Sequence, residues 1–197
     1  MFKSKMNLLG FLFLSFLNCS VAMDVGASAS EEGSGDLPKL FSCRDFQPLR
    51  DMGPEIGCDT LVVFDVDRVL LTPREPLFRS ENHELCTRLY SSFIGVGPED
   101  REWQKELVLL APSMLIDPSV VLLIRELQAR HIPTIALTNT LTGPILRGKT
   151  LEDIRHEALG SLGINFDVDG IFRDVSFDDV GGKAPVFNKG ILFTGQG

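Results

Sequence analysis

An α/β domain built on a parallel sheet is the fold class this chain predicts, and three observations carry the prediction. Leu61-Val62-Val63-Phe64 is a run of four apolar residues, two of them β-branched, of the kind that fills a strand buried on both faces. Thr134-Ile135-Ala136-Leu137 has the same texture further along. Between the two runs and after them lie segments of helical period, so strands alternate with helices as in a parallel sheet.

The elements follow in order. Lys3 and Lys5 precede a mostly Leu and Phe stretch from Leu8 to Leu17, and Ser20-Val21-Ala22 supplies a small-x-small pattern before Met23. That is the form of an export signal cleaved after Ala22, and its apolar run is too short for a membrane span. Lipid attachment at Cys19 is the weaker reading because the bulky Asn18 precedes it, and a retained anchor is a third. Residues 23–37 are small, polar and nonperiodic, a flexible linker. Residues 38–59 show no clear period and are expected to wrap over the domain edge, before the first strand at 60–67.

A helical insertion, or cap, is expected over about 74–112. Leu85, Leu89 and Phe93 fall at helical spacing in one helix, and Trp103, Leu107 and Leu110 in a second at 99–110. Tyr90 and Trp103 are read as cap core. Asp117-Pro118 then forms an N-cap and first-turn pair for a helix whose apolar face is Val120, Leu123, Ile124 and Leu127. A second buried strand at 134–139 ends in Thr138, Asn139 and Thr140, and a helix at 151–162 stops at Gly163. Short extended pieces are expected at 164–166, 170–172 and 190–194.

Charge narrows the function classes. Cleavage after Ala22 removes two lysines and no acid, leaving 17 basic residues against 27 acidic ones and a net charge of −10. A basic footprint for nucleic acid or an anionic membrane surface is therefore not expected. No apolar stretch of spanning length follows the signal, so the mature chain is expected to be soluble, periplasmic or secreted. Cys43, Cys58 and Cys86 remain, an odd count that argues against a disulfide-built scaffold, with Cys43–Cys58 the locally obvious pair. His83, His131 and His156 are scattered, and no Cys or His pair has zinc-ligand spacing.

The chemistry concentrates at Asp65-Val66-Asp67, two carboxylates at the end of a greasy strand. Strand side chains alternate between faces, so the two acids converge only if the strand ceases to be regular near Val66. Ligand sites in open α/β sheets lie at the carboxyl ends of the strands, and paired acids there suit metal or phosphoryl chemistry.

Asp65, Asp67 and Val69, followed by an apolar strand ending in Thr138, resemble the first two motifs of the haloacid dehalogenase (HAD-like) superfamily. The first of these is a buried strand ending Asp-x-Asp-x-Thr/Val, and the second a strand ending in Ser or Thr. The resemblance spans about residues 59–194, including the cap between the motifs. The runs Ile135-Ala136-Leu137-Thr138-Asn139, Leu162-Gly163-Ile164-Asn165-Phe166 and Gly190-Ile191-Leu192-Phe193-Thr194-Gly195 look closer to a branch of exported bacterial HAD-like proteins of unknown function.

The resemblance implies a Rossmann-like parallel sheet with a helical cap, and magnesium-dependent hydrolysis of a small phosphorylated substrate. Asp65 would be the nucleophile, forming an aspartyl-phosphate, and Asp67 the acid and base. Thr138 would hold a phosphoryl oxygen, with Asn139 beside it. Magnesium would bridge the Asp65 carboxylate, the Asp67 backbone carbonyl and the phosphate.

The resemblance also implies a lysine and a further acid-bearing strand. Lys183, in Gly181-Gly182-Lys183-Ala184-Pro185, imitates the lysine motif, with Lys189 a poorer candidate. Asp178-Asp179 follows too short and polar an approach for a core strand, and reads as a loop. In the exported branch the lysine is expected just beyond the Gly190–Gly195 segment, where this chain stops. The ending Thr194-Gly195-Gln196-Gly197 therefore reads as truncation of a longer protein, with the sheet incomplete at that end. The competing reading is a catalytically inactive HAD-like chain that acts as a secreted binding protein. Arg68, between the acids and Val69, is placed either to touch a phosphate or to salt-bridge to the cap, whereas Arg74 and Arg79 follow the first motif and are read as solvated surface before substrate entrance.

Overall fold

The computed structural model describes residues 10–15, 19–23, 39–43, 45–93, 97, 110–145, 148–168, 174–176 and 184–195. Ten strands are described: β1 (Gly10–Ser15), β2 (Cys19–Met23), β3 (Lys39–Cys43), β4 (Thr60–Asp65), β5 (Leu71–Pro73), β6 (Ser113–Leu115), β7 (Thr134–Thr138), β8 (Val175–Ser176), β9 (Val186–Asn188) and β10 (Ile191–Phe193). The helices are α1 (Gln47–Met52), α2 (His83–Phe93), α3 (Val120–Ala129) and α4 (Leu151–Ser161). Eight strands form one sheet in the order β3-β2-β1-β4-β7-β10-β9-β8, and β5 and β6 form a separate ribbon. The centre of the large sheet, β1-β4-β7-β10, is parallel, while the strands outside it on both sides pair antiparallel. The chain is thus a mixed α/β fold with a parallel centre. Among the described residues no helix is long and apolar enough to cross a membrane.

Burial explains the centre. Val62, Val63 and Phe64 of β4 are all buried, as an unbroken apolar run requires. Val120, Leu123, Ile124 and Leu127 of α3 share one core with Val62 and Phe64 and with Phe46, Leu49, Leu159, Ile191 and Phe193. Helix α3 begins at Val120, two residues later than an Asp117 N-cap implies. The Asp117 carboxylate instead accepts from the Ser119 amide at 2.8 Å, closing a turn ahead of the helix. Strand β7 alternates: Thr134, Ala136 and Thr138 are buried, whereas Ile135 and Leu137 are partly exposed.

Several expectations are changed by the structure. Residues 38–59 are more regular than their lack of period suggests, contributing β3 and α1. Arg130 at the end of α3 donates to the Gly53 and Ile56 carbonyls, which ties the segment after α1 to the core. Residues 164–166 form no strand. The segments 24–38, 94–96, 98–109, 169–173 and 177–183 lie outside the described residues. With them go nearly all of the expected linker, most of the second cap helix with Trp103, the piece at 170–172, and Asp178-Asp179. Tyr90 of α2 stacks on Phe78, with ring centroids 6.3 Å apart.

The Cys43–Cys58 disulfide is not formed, since Cys58 is a free, exposed thiol. Strand order explains why. Cys43 ends β3, with β2 and β1 lying between it and β4, and Cys58 lies just ahead of β4. Since β3 and β4 run the same way, the two cysteines sit at opposite ends of the sheet as well. Two strand spacings already exceed the reach of a disulfide. The stretch read as an export signal supplies β1 and most of β2, with Gly10–Leu14 in parallel register with Thr60–Phe64. Cleavage after Ala22 would remove them from the sheet.

The turn between β9 and β10 is two residues long, with Lys189 at φ 45° and Gly190 at φ 78°. This positive-φ pair matches the right-handed twist of the hairpin. A Cβ on Gly190 would lie 2.3 Å from the Phe166 carbonyl oxygen, a backbone atom that cannot swing aside. Gly190→Ala is expected to lower stability by about 2–3 kcal/mol, measured by urea denaturation, with Gly160→Ala as the open-space control.

Candidate functional site

Strand β4 ends at Asp65, and the chain turns sharply at once. The Val66 amide still donates to the Leu137 carbonyl at 3.0 Å, which keeps the turn in register with β7. The amides of Leu70 and Leu71 both return to the Val66 carbonyl, and the Arg68 amide donates to Leu71, so residues 66–71 form a closed loop. Arg68 takes φ 65° at its apex and is exposed. Val66, Val69 and Leu70 are buried beneath the loop and anchor it. The turn breaks the strand's alternation, and Asp67 comes to face the end of β7.

There Asp67 meets three donors. Its Oδ2 accepts from the Thr138 hydroxyl at 2.8 Å and from the Thr140 hydroxyl at 3.2 Å. Its Oδ1 accepts from Arg155 Nη2 at 2.6 Å, an ion pair in which Arg155 is buried and Asp67 is 41% exposed. The Thr138 and Thr140 hydroxyls are themselves 2.7 Å apart. Arg155 comes from α4, whose buried face is Leu151, Glu152, Arg155 and Leu159. A capping box between Thr150 and Asp153 sets the start of that helix. In the first turn of α4, the buried Glu152 carboxylate accepts from the Gly143 amide at 3.1 and 3.2 Å, pinning the loop that joins β7 to α4.

Asp65 is different in kind. Burial and the neighbouring Asp67 charge push its carboxyl up from 3.8 to about 6, against the smaller opposing pull of the Val66 and Asp67 amides and Arg68. No ion pair is made to it among the described residues.

Of the residues expected at a site, Asp65, Asp67 and Thr138 are gathered at one end of the parallel strands. Asn139 is exposed beside them, its Oδ1 accepting from the Thr194 hydroxyl at 2.6 Å just past β10. Lys183 lies outside the described residues. The chain resumes at Ala184, whose carbonyl accepts from the Thr142 hydroxyl. Lys189 does not reach the site. It precedes β10 in the hairpin turn, at the end of the sheet opposite Thr138, where its amide donates to Asp174. Arg79 is partly buried and donates to the Pro73 and Arg74 carbonyls, so it braces the chain after β5. Among the described residues no group of three or more His, Cys, Asp or Glu is placed to hold a metal ion.

Arg155 and Thr140 are site residues that strand motifs do not announce. Arg155 had a legible signal: with Leu151 and Leu159 it makes an i, i+4, i+8 stripe, so a charge interrupts an otherwise apolar face.

A family model described as "Protein of unknown function (DUF2608)" matches residues 46–196. The uncharacterized protein RP296 of Rickettsia prowazekii (strain Madrid E) is 25% identical over 155 residues, covering 77% of this chain and 56% of that protein. The chain thus spans about half the length of the curated relative it matches. No solved structure matches it.

The Asp65 shift has a consequence for stability. Its folded carboxyl binds a proton more tightly than the unfolded one, so this contribution is fully present below about pH 4 and is lost as pH rises through about 6. In metal-free buffer at pH 7.5, Asp65→Asn is expected to stabilise the fold by about 1–2 kcal/mol, after allowance for solvent screening. The gain should vanish near pH 3.5, and thermal melts at the two pH values measure it.

Proposed function

The chain belongs to the DUF2608 family, and from its own site we propose that it is an exported HAD-like hydrolase that cleaves small phosphomonoesters through an aspartyl-phosphate. The observation that carries this reading is the meeting of Asp67 with Thr138 at the carboxyl end of two parallel strands, with Asp65 two residues earlier at the end of β4. A Rossmann-like HAD fold with a cap at about 74–112 accounts for the parallel centre, and for the β5-β6 ribbon from which residues 74–112 emerge.

The chain's own residues can perform the chemistry. The Asp65 carboxylate attacks phosphorus, and the bond from phosphorus to the leaving oxygen breaks as Asp67 supplies that oxygen with a proton. Asp67 then takes a proton from water, whose oxygen attacks phosphorus and releases phosphate and free Asp65. Thr138 and Asn139 offer a hydroxyl and an amide nitrogen to the phosphoryl oxygens, Thr194 fixing which end of Asn139 is free to donate. Lys183 would add positive charge.

Magnesium fits this donor set. A partly buried carboxylate with no ion-pair partner among the described residues suits a cation that takes one or two carboxylates and completes its shell with water and substrate phosphate. Asp65 and the Asp67 carbonyl would hold it, and it would offset the repulsion between nucleophile and phosphate.

The test is release of phosphate from an aryl phosphate by the full chain with magnesium. Activity is expected with the metal, and Asp65→Asn is expected to reduce it by at least about a thousandfold. Turnover that survives Asp65→Asn or EDTA would exclude this mechanism. Absence of turnover would favour the second reading, an inactive chain that binds partners on the same scaffold.

A further inference from the structure

The three donors on Asp67 belong to the interior, whereas Asp67 itself comes from the rim. Arg155 is 6% exposed, Thr138 0% and Thr140 6%. Asp67, in contrast, sits in the 66–71 loop with its side chain 41% exposed. Arg155 also has capacity to spare: its Nε is buried and has no hydrogen-bond partner among the described residues. A buried guanidinium beside two buried hydroxyls is a set of donors for an anion with several oxygens. In the structure the two Asp67 oxygens fill those positions, one on Arg155 and the other on the threonines.

We propose that Arg155, Thr138 and Thr140 form an oxyanion seat which Asp67 occupies in the free protein, and that a phosphate dianion takes the seat by displacing Asp67. Phosphate as the occupant rests on the phosphoryl-transfer reading of the same site. A tetrahedral oxyanion can use the fork of the guanidinium and both hydroxyls at once, and two negative charges compete better for Arg155 than the one on Asp67. Displacement also leaves the Asp67 carboxyl without its cation and free to swing on the rim, where a proton donor is needed. The carboxylate is thus an internal stand-in for the ligand, and loading the seat releases it.

Binding of inorganic phosphate, measured by equilibrium dialysis in EDTA at pH 7.5, tests this without turnover. Asp67→Ala is expected to bind phosphate at least about tenfold more tightly than the wild type, because it vacates the seat. Asp65→Ala, which removes a charge but leaves the seat filled, should gain less. Combining Asp67→Ala with Arg155→Met should abolish the gain, and with Arg155→Lys should keep part of it. Thermal melts check folding, and if Arg155→Met does not melt cooperatively, Arg155→Lys alone carries the comparison. No gain in Asp67→Ala, an equal gain in Asp65→Ala, or a gain that persists undiminished when Arg155 is replaced would overturn the proposal. Aryl phosphate turnover without the gain sinks the seat and spares the phosphatase reading. The gain without turnover does the reverse.

Discussion

The parallel register of β4 on β7 is the constraint on which the site depends. Asp65 lies opposite Leu137, and the Val66 amide continues the ladder by one more bond to the Leu137 carbonyl. Two strands that run the same way end at the same edge, so the polar residues after each are delivered side by side. Antiparallel pairing of the same runs would put Asp67 and Thr138 at opposite ends. The parallel arrangement needs a crossover, and α3 supplies it by laying Val120, Leu123, Ile124 and Leu127 into the core that also holds Val62 and Phe64.

On that frame the two acids acquire opposite surroundings. Asp65 ends a regular strand, partly buried, with a like charge for a neighbour. Asp67 lies beyond a tight loop and is held by a guanidinium and two hydroxyls. In the proposed mechanism, carboxylates that differ so much in environment would take different tasks, one to meet a cation and attack, the other to move a proton. The loop achieves this with few residues, because Val66, Val69 and Leu70 bury their side chains while Arg68 takes the left-handed conformation at the apex.

What was legible from the residues follows their physical signals. β4, β7, α3 and α4 could be placed because apolar runs and helical spacing report burial directly, and Gly163 with φ 86° stops α4 where expected. β3 and α1 were not legible, since short elements at the margin of a core carry too few apolar residues to show a period. The Cys43–Cys58 pairing failed for a related reason: nearness along the chain says nothing about which strands are inserted between two positions. Thr140 reads only as a polar residue at a strand end and Arg155 as a charge within a helix, because their roles exist only once α4 is docked against the loop after β4.

The sequence by itself determined the alternation of strands and helices and the presence of Asp65, Asp67 and Thr138 at strand ends, because burial and strand geometry act locally. It determined equally that the chain carries an acidic balance. Only the tertiary structure decided that Asp67 faces inward to Arg155 and the two threonines, and that Lys189 sits at the far end of the sheet. Those are relations between distant segments, set by register and by the docking of a helix, and no local pattern encodes them.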